Sequence, residues 1–210
     1  HIAAGDGGGI YAAGALTLTN AAVTGSSTLN GSGGGIYVRG PLTLANAEVM
    51  SNTAGSTGIV FGGGIYAVSA VHATGGTLQN NLADTTALNA NAYGGGLYAS
   101  ATAALTGTRF VGNIARTYNT GGGAYGAQAL GGGVYANGAL TVEAGEFLSN
   151  TAKSGAGASY ASTYAFGGGV FAGGPATLNG GLFQGNGANP FLPYTGTTAT
   201  GSGYAYGGGL

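Results

Sequence analysis

Few side chains in this chain are equipped for chemistry. They are five carboxylates (Asp6, Glu48, Asp84, Glu143, Glu146), four cations (Arg39, Arg109, Arg116, Lys153) and two histidines (His1, His72). Cleavage of a glycosidic bond needs two carboxyls facing each other across the substrate, roughly 5–9.5 Å apart. Glu143 and Glu146 are close enough in sequence to approach one another near a bend, so a polysaccharide-cleaving site is a minor reading. No cationic column accompanies them, and the chain is expected not to be an enzyme. His1 and His72 are too few and too separated for a metal site, and the absence of Cys removes thiolate ligands and disulfides. No cofactor is expected. Runs of three glycines can cradle phosphate when a Lys-Ser/Thr and a helix follow; here an aliphatic residue and an aromatic one follow instead.

Charge narrows the partners further. The formal net charge is −1 and charged residues are 4% of the chain, so the basic stripe of a nucleic-acid binder is missing. No apolar run approaches the roughly 18 residues of a membrane-spanning helix. A surface this poor in charge has little to keep it soluble as a free monomer, which favours assembly. A start at His1 rather than Met reads as a processed or excerpted piece.

What must position these residues is a repeat. A glycine triplet followed by Ile, Leu or Val and then Tyr or Phe opens at 7, 33, 62, 94, 131 and 167, and a further triplet at 207 is cut off after Leu210. Counting from the first glycine as zero, the copies align without a gap for 22 residues. Position +9 holds Leu16, Leu42, Val71, Ala103, Leu140 and Ala176, and +11 holds Leu18, Leu44, Ala73, Leu105, Val142 and Leu178. Position +16 holds Val23, Val49, Leu78, Phe110, Phe147 and Phe183. Position +19 is Ser26, then Asn52, Asn81, Asn113, Asn150 and Asn186.

Within each unit apolar residues alternate with polar ones, the period of a half-buried strand. The runs are too short for helices, and their Gly and Thr disfavour helix. A unit of this length cannot bury its apolar edge alone, whereas stacked units form a continuous core. The expected fold is all-β: a right-handed parallel β-helix, a solenoid of about six coils with three short strands each, one domain over 1–210. Aliphatic and Phe columns point inward, and the Asn column makes an internal ladder, because buried amides require partners. The triplet suits a corner needing positive φ or close approach of coils.

Position +4 collects Tyr11, Tyr37, Tyr66, Tyr98, Tyr135 and Phe171. Lying between inward positions, it should face outward as an aromatic ladder, each stacked pair contributing about 0.5–1.5 kcal/mol. Its two readings are a structural stack and a face covered by loops or a neighbouring molecule. At +15, Arg109 and Glu146 fall on adjacent coils and should pair, while His72 takes an outward position at +10. An ice-binding face would need regular Thr columns at +10 and +12. Thr17/Thr19 gives way to His72/Thr74 and Thr141/Glu143, which is too irregular.

Between the 22-residue cores lie insertions 29–32, 55–61, 84–93, 116–130, 153–166 and 189–206, of 4, 7, 10, 15, 14 and 18 residues. They are expected as variable loops at one corner, often the binding face of such repeats. They carry Phe61, Tyr93 and Phe166, and the candidate contact residues Tyr118, Tyr125, Tyr160, Tyr164, Phe191, Tyr194, Tyr204 and Tyr206. The two readings of these loops are a cover for the solenoid flank and a contact surface for a subunit or glycan.

The GG-x-aliphatic motif followed by Phe110-Val-Gly-Asn113, Phe147-Leu-Ser-Asn150 and Phe183-Gln-Gly-Asn186 resembles the passenger repeats of chlamydial polymorphic outer membrane proteins and related bacterial surface β-helices. Val49-Met-Ser-Asn52 and Leu78-Gln-Asn-Asn81 are relaxed copies, and Val23-Thr-Gly-Ser26 departs from the pattern. The resemblance implies an extracellular or cell-surface location and an adhesive or structural role; the family's translocating barrel has no counterpart in this sequence. Two functions are therefore carried forward. One is a filament subunit stacking head-to-tail through uncapped ends, open strand edges being templates for pairing. The other is a monomeric adhesin or passenger fragment whose Tyr-rich loops bind glycans.

Overall fold

A computed structural model describes residues 2–3, 5–87, 90–119, 126–156, 163–191 and 203–207. Among these residues the chain is all-β, and the repeat positions pair in register between successive units. Positions +3 to +5 form a six-stranded sheet of Ile10–Ala12, Ile36–Val38, Ile65–Ala67, Leu97–Ala99, Val134–Ala136 and Val170–Ala172. Its pairing is parallel, with Ile36 opposite Ile65 and Ile65 opposite Leu97. The next two strand positions share a ten-stranded sheet, entered by Leu42–Ala45 and Glu48–Met50 in the second unit. In the last two units these merge into single long strands, Leu140–Leu148 and Ala176–Gln184.

Alternation decides which side is dry. Ile36, Val38, Leu42, Leu44 and Val49 are buried while Thr43 and Glu48 between them are exposed. The same columns run on through Ile65, Leu78, Leu105, Phe110, Val142 and Phe147 as one continuous core. Phe110 and Phe147 inside it, and the partly buried Phe183 beside them, stack nearly parallel, with centroids 5.0 and 4.6 Å apart. Full burial of a side chain such as Phe110 or Phe147 contributes about 1.5–3 kcal/mol.

The triplet serves two steric needs. Its first glycine has φ of 64° at Gly33, 62° at Gly62 and 64° at Gly131, a region costly for other residues. Its second lies against the next unit, where a Cβ on Gly34 would overlap the Gly63 carbonyl oxygen.

The insertions depart from expectation. Apart from 29–32, their described portions consist largely of paired strands, one set of which starts two residues before the insertion, so a unit holds four or five strands instead of three. Thr53–Ser56, Leu82–Thr85, Ile114–Asn119, Thr151–Ala156 and Gly187–Phe191 run outward in a seven-stranded sheet that also contains Ile2–Ala3 and Ser27–Thr28. Val60–Phe61, Ala92–Tyr93, Ala127–Leu130, Thr163–Phe166 and Gly203–Tyr206 return in a five-stranded one. The cause is a period-two pattern with alanine on the inner side. Ala54, Ala83, Ala92 and Ala115, then Ala129, Ala152 and Ala165, are fully buried. Side chains this small leave little to hold the two sheets apart.

Candidate functional site

The five Asn of position +19 form one polarised chain of hydrogen bonds. Asn81 Nδ2 donates to Asn113 Oδ1 at 2.9 Å and to the Val49 carbonyl at 2.8 Å, and the Asn81 backbone N–H donates to the same Asn113 oxygen at 3.0 Å. Asn52 treats Asn81 in this way, Asn113 treats Asn150, and Asn150 treats Asn186. Asn52, Asn81, Asn113 and Asn150 are fully buried, so these bonds meet no competition from water. In the first unit Ser26 contributes only its backbone N–H, which donates to Asn52 Oδ1 at 3.0 Å.

Outside the core, the +4 aromatics stand in sequence, each centroid 5.0 or 5.1 Å from the next. Tyr11 lies nearly parallel to Tyr37 and Tyr98 to Tyr135, whereas Tyr66 meets both its neighbours edge-on. A second column, unrecognised in the sequence, packs beside the first. It consists of the residue just before each triplet, pairing Phe61 with Tyr93, Tyr93 with Leu130, Leu130 with Phe166 and Phe166 with Tyr206. Phe61 reaches Tyr98 at 4.7 Å, Tyr93 reaches Tyr135 at 5.1 Å, and Phe166 reaches Phe171 at 6.2 Å. Aligning the units leftward from the triplet would have exposed this column. Tyr11 follows Asp6, with Ser32 at the same place in the next unit, and remains 56% exposed.

Burial in this double ladder pushes the Tyr98 phenol up to about 12, and raises Tyr37 and Tyr135 in the same direction. A phenol with a folded pKa above its unfolded value supports the fold below pH 10 and ceases to do so as pH rises towards 12. Stability should therefore fall across that interval, with the last part of the phenolate absorbance appearing together with unfolding. Complete phenolate absorbance reached near pH 10 while the far-ultraviolet dichroism stays native would show the ladder to be open to solvent.

Two ion pairs join neighbouring strands among the described residues. Arg109 Nε donates to Glu146 Oε2 at 2.8 Å, both half-exposed, a contact worth about 0–1 kcal/mol. It engages one of the two carboxylates considered for hydrolysis. A second pair went unnoticed in the sequence: Arg116 Nε and Nη2 grip Asp84 Oδ1 and Oδ2 at 2.8 and 2.6 Å. Asp84, Arg116 and Lys153 all stand at +22, one position past the aligned core, so extending that alignment by one residue would have found them.

Of the candidate contact residues, Tyr118 lies in Ile114–Asn119 and is 41% exposed. Tyr164 stacks on Tyr204 at 5.1 Å, and Phe166 on Tyr206 at 5.0 Å. Phe191 ends the strand Gly187–Phe191. Tyr125, Tyr160, Tyr194 and His1 fall outside the described residues. Among the described residues no helix is long and apolar enough to cross a membrane. Set against models of protein families, curated proteins and solved structures, the chain yields no match in any of the three comparisons.

Proposed function

We propose that this chain is a right-handed parallel β-helix of the bacterial surface type, an extracellular structural element that assembles with copies of itself. The handedness follows from the strong preference of parallel strands for right-handed connections. What supports the structural role above all is where the side chains are used. The Asn ladder and both aromatic columns bind unit to unit, in register, along one axis.

Among the described residues the stack ends on strand edges. Ile10–Ala12 and Val170–Ala172 bound the six-stranded sheet, and the apolar residues beside them, Ile10, Leu16 and Leu18 at one side and Val170, Leu178 and Phe183 at the other, are only partly buried. Another coil seated there would bury them and extend every ladder, and a second copy can supply it. A contact of this head-to-tail kind propagates into a filament unless its rotation closes a ring.

Electron microscopy of the native protein without denaturant tests this. Thin uniform fibres, with a repeat near 4.8 Å along their axis by diffraction, are expected. Single short rods at every concentration would overturn the polymer and leave the second reading, an adhesin whose exposed Tyr118, Tyr204 and Tyr206 contact glycans.

A further inference from the structure

We infer that Tyr11 and Tyr37 form an oxidative cross-linking site, at which a peroxide-driven one-electron oxidant joins the units opening at 7 and 33 through a bond between the two rings. Composition makes tyrosine the residue for such chemistry. The chain has 13 Tyr and neither Cys nor Trp, so a disulfide cannot staple it and no indole competes for the oxidant. Its single methionine, Met50, follows a different route, taking up oxygen to become a sulfoxide.

Geometry selects the pair. Tyr11 and Tyr37 are register partners on parallel strands, with centroids 5.1 Å apart and planes 11° from parallel. The odd electron of a phenoxyl radical occupies p lobes normal to its ring, so a new carbon–carbon bond grows from face to face. Parallel rings offer those lobes to each other. The edge-on pairs Tyr37–Tyr66 and Tyr66–Tyr98, at 89° and 84°, do not. Tyr98 and Tyr135 are parallel at 5.0 Å, but Tyr93 packs on both and Phe61 on Tyr98, leaving less water to take up a proton. Beside Tyr11 and Tyr37 the covering column has Asp6 and Ser32 in place of aromatic rings, and Tyr11 is 56% exposed.

The step balances as follows. Each ring gives up one electron and its phenolic proton. The two radicals bond through carbons ortho to their oxygens, and each ortho hydrogen then moves as a proton, through solvent, to the phenolic oxygen, restoring both rings. The pair loses two electrons and two protons in all, and hydrogen peroxide takes them up to give two molecules of water. Register holds the rings side by side, which makes the coupling effectively unimolecular. The bond ties position 11 to position 37 and restricts the unfolded chain as a disulfide would.

The test is treatment of the intact protein, kept dilute, with a haem peroxidase and hydrogen peroxide, followed by tryptic mapping. Residues 1–39 emerge as one peptide holding only these two tyrosines. The internal bond therefore appears as that peptide short of two hydrogen atoms, with the fluorescence of dityrosine. Native protein should yield at least about tenfold more of it than protein oxidised in denaturant. Coupling of Tyr164 to Tyr204, a second parallel pair at 5.1 Å, falls in residues 154–210 and is read apart. Tyr11→Phe keeps a stacked ring and should abolish the product. The oxidised parent should also unfold at a higher denaturant midpoint than Tyr11→Phe treated alike. An unmodified 1–39 peptide, bonds from it only to other peptides, equal yield in denaturant, persistence in Tyr11→Phe, or equal midpoints would each overturn the proposal. Microscopy reads polymer formation separately, so failure of the cross-link leaves the filament proposal untouched.

Discussion

Gly63→Ala should be among the most damaging single-methyl additions available in this chain, lowering stability by about 3 kcal/mol or more. A Cβ there would overlap the carbonyl carbon of Leu82, the Ala83 nitrogen and the Gly95 oxygen. These are backbone atoms, unable to step aside as a flexible side chain can. Moving them would also disturb the inter-unit bonds of the triplet, such as Gly63 N to Gly94 O at 3.0 Å. The control is Gly14→Ala. Gly14 is exposed, with nothing within 4 Å of an added Cβ, so its replacement should change stability by no more than about 0.5 kcal/mol. Denaturant unfolding followed by far-ultraviolet dichroism separates the two. Equal midpoints would mean that the units do not approach as closely as the triplet implies.

Asn113→Ala should be the most damaging polar truncation. The side chain accepts from Asn81 N and Nδ2 and donates to the Leu78 carbonyl and to Asn150 Oδ1, all at 2.8–3.0 Å. Its removal strands the Asn81 amide N–H and the Leu78 carbonyl in a site where Asn113 is 0% exposed, and each buried orphan costs about 1–3 kcal/mol. Asn113→Asp keeps the volume but loses the donors, and so should be no better tolerated than alanine. Hydrogen exchange gives a local readout: the Asn81 amide should lose protection more than the Ile36 amide, which donates to the Gly64 carbonyl. An unchanged melting temperature, or an Asp variant as stable as the parent, would remove the ladder as a source of stability.

These residues also divide what could be read early from what could not. The Asn column, the inward aliphatic columns and the outward Tyr column were legible because parallel pairing keeps one register from unit to unit. Wherever the alignment is gapless, a column in the sequence is a row in space. The Arg109–Glu146 pair followed from the same rule. Asp84, Arg116 and Lys153 obeyed it too, and escaped notice only because the aligned core was ended one residue too soon.

The insertions escaped for a stronger reason. Their lengths differ, so no common numbering runs through them, and Ala-rich alternation is a weak strand signal in a chain already full of Ala and Gly. Whether Phe61 or Tyr93 covers the Tyr ladder depends on where the returning sheet comes to rest beside the first one. Closeness of that kind is set by how far two sheets approach across buried alanines, which spacing along the chain does not encode. The sequence by itself thus determined the repeating unit, its all-β character and its ladders, because those follow from local alternation and from register. Only the tertiary structure decided that the insertions pair as two sheets and that a second aromatic column leans on the first. Each of these is packing between surfaces, fixed by the path of the whole chain.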